Sequence, residues 1–190
     1  MPATNPVIDN IRSRRSIRKY LQTPVPDAVI NELLQAAVYA PSAMDAQGWR
    51  FIVVKNPAKI KELSDHVKRL FPPEMLSSPG RIARVKSAED TFFYKAPLLI
   101  LVTANKAANP WVVVDVGILA QTMFLAAKSL GLGSCFIGLA LPLNNDKALL
   151  KQLGVPEGHE IVAPLIFGYP AEDKPVPERT FEDKVLKTFE

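Results

Sequence analysis

Residues Trp111–Leu130, WVVVDVGILAQTMFLAAKSL, restrict the fold more than any other stretch of the chain. They are apolar nearly all round and rich in helix formers, which predicts a central helix buried on most sides and stopped by Gly131. Asp115, Gln121, Thr122 and Lys128 interrupt the run short of the roughly 20 apolar residues that cross a bilayer. It therefore reads as a core helix, and no membrane partner is expected. A helix of this kind needs a large apolar surround. At 190 residues and 48% hydrophobic composition the chain can supply one well-filled core with an arm, but not two independent domains.

The rest of the pattern supplies that surround. PLLILVT, residues 97–103, is a short continuous apolar run that suits a strand covered on both faces. Arg50–Val54, Ser134–Ile137 and Ile161–Phe167 are the other strand candidates. A first helix is expected over Pro6–Ser13. A second opens at Pro26-Asp27, repeats Ile30, Leu33, Leu34, Ala37 and Val38 at helical spacing, and stops at Pro41. Asn56-Pro57 reads as a cap and first-turn proline before Ile60, Leu63, Val67 and Leu70. A short helix around Leu149, Leu150 and Leu153 is expected to be capped by Asn145 and closed by Gly154. Residues 71–80, with three prolines and a glycine, predict a loop. Residues 81–95 can be helix or loop, and Phe92, Phe93 and Tyr94 there can be core or a pocket wall. PSAMDAQGW, residues 41–49, is a turn of small and polar side chains that lets a ligand approach the backbone.

The charge is local. Residues 12–19 hold five cations and no acid, and removing them turns the formal net charge of +4 into −1. SRRSIRKY, residues 13–20, packs Arg14, Arg15, Arg18 and Lys19 around the Ser16 hydroxyl where the first helix ends. Guanidinium forks and a small hydroxyl suit phosphate oxygens. A solvated basic face is the plainer reading of such a run. One cluster without interleaved aromatics favours a small phosphate over a nucleic-acid track, so no nucleic-acid partner is expected.

Motifs for protein-borne chemistry are missing. The glycines of GLGSCFIG, 131–138, follow a helix and open a strand, the reverse of a dinucleotide-binding loop. No GxxxxGK[ST], GxSxG or paired catalytic carboxylate is visible. His66 and His159 lack metal-ligand spacing, so no metal is expected. Cys135 is the single cysteine, which excludes an intramolecular disulfide and points to a reducing, cytoplasmic setting. The opening MPATNPVIDN has no signal-peptide pattern. Chemistry must then come from something bound.

RRSIRKY at 14–20, APSAMDAQGWRFIVV at 40–54, AQTMFLAAKSLGLGS at 120–134 and IFGYP at 166–170 occur in an order and spacing that resemble the nitroreductase family of FMN-dependent oxidoreductases. The resemblance covers nearly the whole chain. It implies an α+β fold with a central, mostly antiparallel sheet flanked by helices, in an intertwined homodimer with FMN at each interface. Residues 1–170 would form the FMN-binding domain, and residues 171–190 an arm packing on the partner subunit. Arg14 and Ser16 map to the phosphate, Arg18 to the ribityl or pyrimidine edge, Arg15 largely to backbone contacts, and Arg179 to the phosphate again. Pro41, Ser42, Ala43, Asp45 and Gln47 correspond to the turn lent by the second subunit, and Ile137 and Gly138 to the backbone beside flavin N5. Asp45 stands where the family usually has asparagine, Gly48 where it has proline, and Thr122 where asparagine is frequent. An ionised carboxylate cannot donate to a flavin carbonyl, so Asp45 should weaken that edge unless it is turned away. The implied activity is hydride transfer from NAD(P)H through FMN to a small electron-poor acceptor such as a nitroaromatic or quinone, with no side-chain catalyst. The alternatives are a specialised role, such as flavin cleavage or dehalogenation, or a flavin-binding regulator.

Overall fold

A computed structural model describes residues 5–189. The reading of the N-terminus as free of a signal peptide rests partly on residues 1–4, outside that range. The helices are α1 (Pro6–Ser13), α2 (Asp27–Val38), α3 (Pro57–Leu70), α4 (Pro79–Lys86), α5 (Val112–Ser129) and α6 (Lys147–Gln152). Four strands, β1 (Trp49–Val54), β2 (Leu98–Ala104), β3 (Gly133–Phe136) and β4 (Glu160–Gly168), form one sheet in the order β1-β2-β4-β3, every neighbour antiparallel. The expected α+β class and antiparallel sheet are what the chain adopts.

β2 is buried along its whole length, as its continuous apolar run requires. Its alternate residues feed two cores. Leu98, Ile100 and Val102 pack on the side of α2 and α5, while Leu99 and Leu101 pack with α3, Phe92 and Phe93. Phe92 and Phe93 are thus core. The Asn56 side chain accepts from the Ala58 and Lys59 amides with Pro57 in the first turn. The cap of α6 is Asp146, not Asn145: its Oδ1 accepts the Leu149 amide at 2.9 Å. Both residue types cap well, so adjacent cappers cannot be ranked from sequence. The region expected as a loop already holds a 3-10 turn at Pro73–Met75 and the start of α4.

α5 is buried on one side, less than the burial on most sides that its composition predicts. Asp115, Val116, Leu119, Met123 and Phe124 face the core, but Val113, Val114 and Ile118 are exposed. Among the described residues nothing covers Val113, Val114 and Ile118. α5 is long and apolar enough to pass a membrane-span test by length and composition, yet its inner face is ordinary protein core. Gly131 ends it with φ of 75°, a conformation that favours glycine.

Candidate active site

After α1 the basic stretch runs extended along the open edge of β3. Ser16 bridges Ser134 in parallel, and the Ile17 amide donates to the Ser134 carbonyl at 3.0 Å. The contact is so close that a Cβ on Gly133 would lie 2.7 Å from Ile17. Farther on, Tyr20 bridges Pro170, the Leu21 amide donates to Tyr169 and the Ala171 amide to Lys19. The stretch is therefore a built part of the sheet margin, anchored by backbone bonds and by the buried side chains of Ile17 and Tyr20.

Residues 172–175 lock it in place. Glu172 Oε1 accepts from the amides of Arg18 (2.6 Å) and Lys19 (3.2 Å). Lys174 Nζ donates to the Ser16 carbonyl at 2.7 Å and pairs with Glu172 at 3.1 Å. Burial works against a charged Glu172, but the Arg18 amide, the Lys174 ammonium and the Lys19 amide outweigh it and hold the carboxyl below its ordinary range. The Arg15 guanidinium is spent on the carbonyls of Arg12, Arg14 and Pro175. Its side chain is thereby occupied within its own chain.

Arg14 remains directed at a cleft of about 110 Å³ lined also by Lys128, Gly131, Ser134, Glu172 and Lys174. Its guanidinium lies 5.7 Å from the Phe124 ring centroid. Burial lowers its pKa, the cations Arg15 and Arg179 press the same way, and Cys135 opposes them. The Cys135 thiol donates to the Phe136 carbonyl at 3.5 Å, and burial pushes its pKa up, so that this cysteine is a buried thiol and not an activated nucleophile. Arg18 points the other way, 6.0 Å from the Tyr94 ring centroid.

Ile137 and Gly138 lie just past β3. The Ile137 amide is taken by the Pro164 carbonyl at 2.9 Å. Gly138 opens the 3-10 segment Gly138–Asn145, where an N–H has no acceptor within the helix. Of this pair, Ile137 is buried and Gly138 is exposed.

The turn at 41–47 lies elsewhere. Ser42 Oγ accepts the Gln47 amide at 3.0 Å, and the buried Asp115 of α5 accepts the Ala43 amide at 3.1 Å and the Asn109 side-chain amide at 3.2 Å. Met44, Asp45 and Gln47 all have positive φ, a left-handed backbone that costs about 1–2 kcal/mol per residue. Such strain collects at functional loops. The Asp45 carboxylate accepts from its own turn, Gln47 Nε2 at 2.8 Å. This turn is tied to the first turn of α5, whereas Arg14 and Lys128 sit near its last. Thirteen residues at 1.5 Å each separate Asp115 from Lys128 by about 20 Å. The sequence-predicted residues thus fall into two groups at opposite ends of α5. Lys128, Glu172, Lys174 and Asp115 were not foreseen from the sequence. Their only local signal is polarity inside an apolar helix or just after the last strand.

This fold matches those of solved FMN-bound structures. The FMN-bound nitroreductase of Bacteroides fragilis superposes with a TM-score of 0.84 at 34% identity, covering 98% of this chain and 100% of that one. The FMN-bound nitroreductase of Desulfitobacterium hafniense gives 0.85 at 28%, with the same coverage. A Thermus thermophilus NADH dehydrogenase is 31% identical over 196 residues, spanning 91% of this chain and 92% of its own. The Nitroreductase family model matches residues 11–169, and the chain belongs to that family.

Proposed function

We propose that the protein binds FMN between two copies of itself and passes hydride from NAD(P)H to a small electron-poor acceptor, such as a nitroaromatic or quinone. The observation that carries this reading is the cleft itself, lined by four cations, Arg14, Arg15, Lys128 and Lys174, against two acids, Glu172 and Asp173. Like charges packed this closely are relieved by a polyanion, and a phosphate monoester fits the cleft's size and donors. FMN-bound family members with the same fold support the choice of flavin.

Arg14, Ser16, Lys174 and Arg179 would hold the phosphate, with Glu172 fixing the backbone that carries Arg18. Arg18 would offer positive charge at the ring's pyrimidine edge, where electron density accumulates on reduction. The Gly138 amide would orient the ring atom that exchanges hydride. FMN supplies the two-electron chemistry; the protein supplies position, charge and exclusion of water. Residues 41–47 would come from the second copy, because α5 holds them about 20 Å from the cleft of their own chain. The exposed apolar face of α5 supports such a pairing. Asp45 accepts from Gln47 within its own turn, which supports a carboxylate occupied away from the flavin edge. The single buried thiol suits a reducing, cytoplasmic setting.

The purified protein is expected to be yellow and to consume NAD(P)H steadily when a quinone is present. Arg14→Ala should weaken FMN binding at least about tenfold, the size of one charge-assisted contact, as read by flavin fluorescence titration. A colourless wild type that takes up no FMN from excess would overturn the reading.

A further inference from the structure

The segment joining α3 to β2 is built around one cation. Thr91 Oγ1 donates to the Arg84 carbonyl at 2.8 Å, and Lys68 Nζ donates to the carbonyls of Ser87 (2.8 Å) and Glu89 (2.5 Å). These bonds fix the end of α4. The buried Asp90 then accepts the amides of Phe93 and Lys95, both at 2.9 Å, and the turn it closes holds Tyr94 and Lys95 at φ of 56° and 53°. The outcome is a guanidinium, that of Arg84, lying 5.8 Å from the Phe92 centroid and 5.2 Å from that of Tyr94. Tyr94 also receives Arg18 at 6.0 Å, so the two guanidinium carbons are within about 11 Å of each other.

An arginine in the last turn of a helix has an ordinary use, complementing the dipole. That use needs neither two rings nor a strained turn. Nor is Arg84 neutralised: among the described residues it has no ion pair, Glu89 is engaged by Lys95, and Asp90 by backbone amides. α4 adds Arg81 and Lys86 and no acid. Two planar cations sharing one ring without a counter-ion form a half-made anion site.

We propose that Arg84 receives an anionic substituent, a carboxylate or a phosphate, of the molecule that exchanges hydride with the flavin. Arg14 and its neighbours serve the cofactor's own phosphate, Arg18 borders the ring, and Arg84 enters from the opposite side of Tyr94's turn to select the guest. Acceptors carrying a carboxylate are then preferred over neutral ones of the same size, or the donor's phosphate is gripped here. This proposal rests on the FMN reading.

The test uses FMN-loaded protein and two unreactive probes, benzoate and NAD⁺, each titrated by its effect on flavin absorbance. Arg84→Gln is expected to weaken one of them about tenfold or more, the loss of a charge-assisted contact. Loss for benzoate assigns the site to the acceptor, and loss for NAD⁺ assigns it to the donor. Arg84→Lys should recover much of the loss, and Lys86→Gln, removing a charge from the same helix, should leave both constants within twofold. In the benzoate case the ratio of kcat/KM for 4-nitrobenzoate over nitrobenzene falls by a similar factor in Arg84→Gln. Both constants unmoved in Arg84→Gln would overturn this proposal alone, whereas wild type that takes up no FMN overturns the parent reading with it.

Discussion

A methyl group at position 133 has nowhere to go. Its carbon would sit 2.7 Å from Ile17, and Ile17 is held by its own bond to Ser134, so the basic segment as a whole would have to shift. Gly133→Ala is expected to cost about 1–3 kcal/mol by chemical denaturation, the usual penalty for overpacking, and to weaken FMN binding with it. Glu172 makes the same segment sensitive to acid. Its folded pKa is depressed, so its stabilisation is fully present above the ordinary glutamate range near 4.3 and is lost as pH falls through the lower folded value. Melting temperature followed from pH 6 down to pH 3 should fall more steeply in wild type than in Glu172→Gln. Equal slopes would mean that the bonds to Arg18 and Lys19 carry no linkage.

At the scale of elements, α5 organises both half-sites, and Asp115 shows how. It is buried in an apolar helix because it binds the Ala43 amide across 72 residues of sequence, together with the Asn109 side chain. Asp115→Ala leaves both donors without that acceptor and lets the strained 44–47 backbone relax. A loss of about 2–3 kcal/mol is expected, checked by urea unfolding. Periodicity made most elements legible: β2 from its continuous apolar run, α2 and α3 from their apolar spacing, α5 from its composition. What stayed hidden was long-range. Asp115 reads in sequence as a blemish in a helix, and Glu172 and Lys174 as charges after a strand, because their partners lie 72 to 158 residues away. The cation cluster was visible in RRSIRKY, but the stacking of Arg84 on Tyr94 depends on a turn folded by Asp90, which local pattern does not encode.

For the whole molecule the open question is what covers α5. Val113, Val114 and Ile118 are exposed on its outer face, and Met44 (91% exposed) and Leu186 (97%) are left bare in the 41–47 turn and the arm. Apolar surface of this kind marks an interaction site. The start of the arm is fastened to its own chain through Glu172, Lys174 and Pro175, and only from Val176 onward does it run exposed. Ile118→Glu should yield a monomer by light scattering and abolish FMN retention, while a dimer of unchanged mass would remove α5 from the interface. Under the proposed pairing, α5 keeps the cationic cleft and the strained turn a full helix apart, so each reaction centre draws one half from each copy. Mixing chains crippled only at Arg14 with chains crippled only in the 41–47 turn would regenerate one working centre per hybrid pair, and specific activity would decline on dilution even though every chain stayed folded.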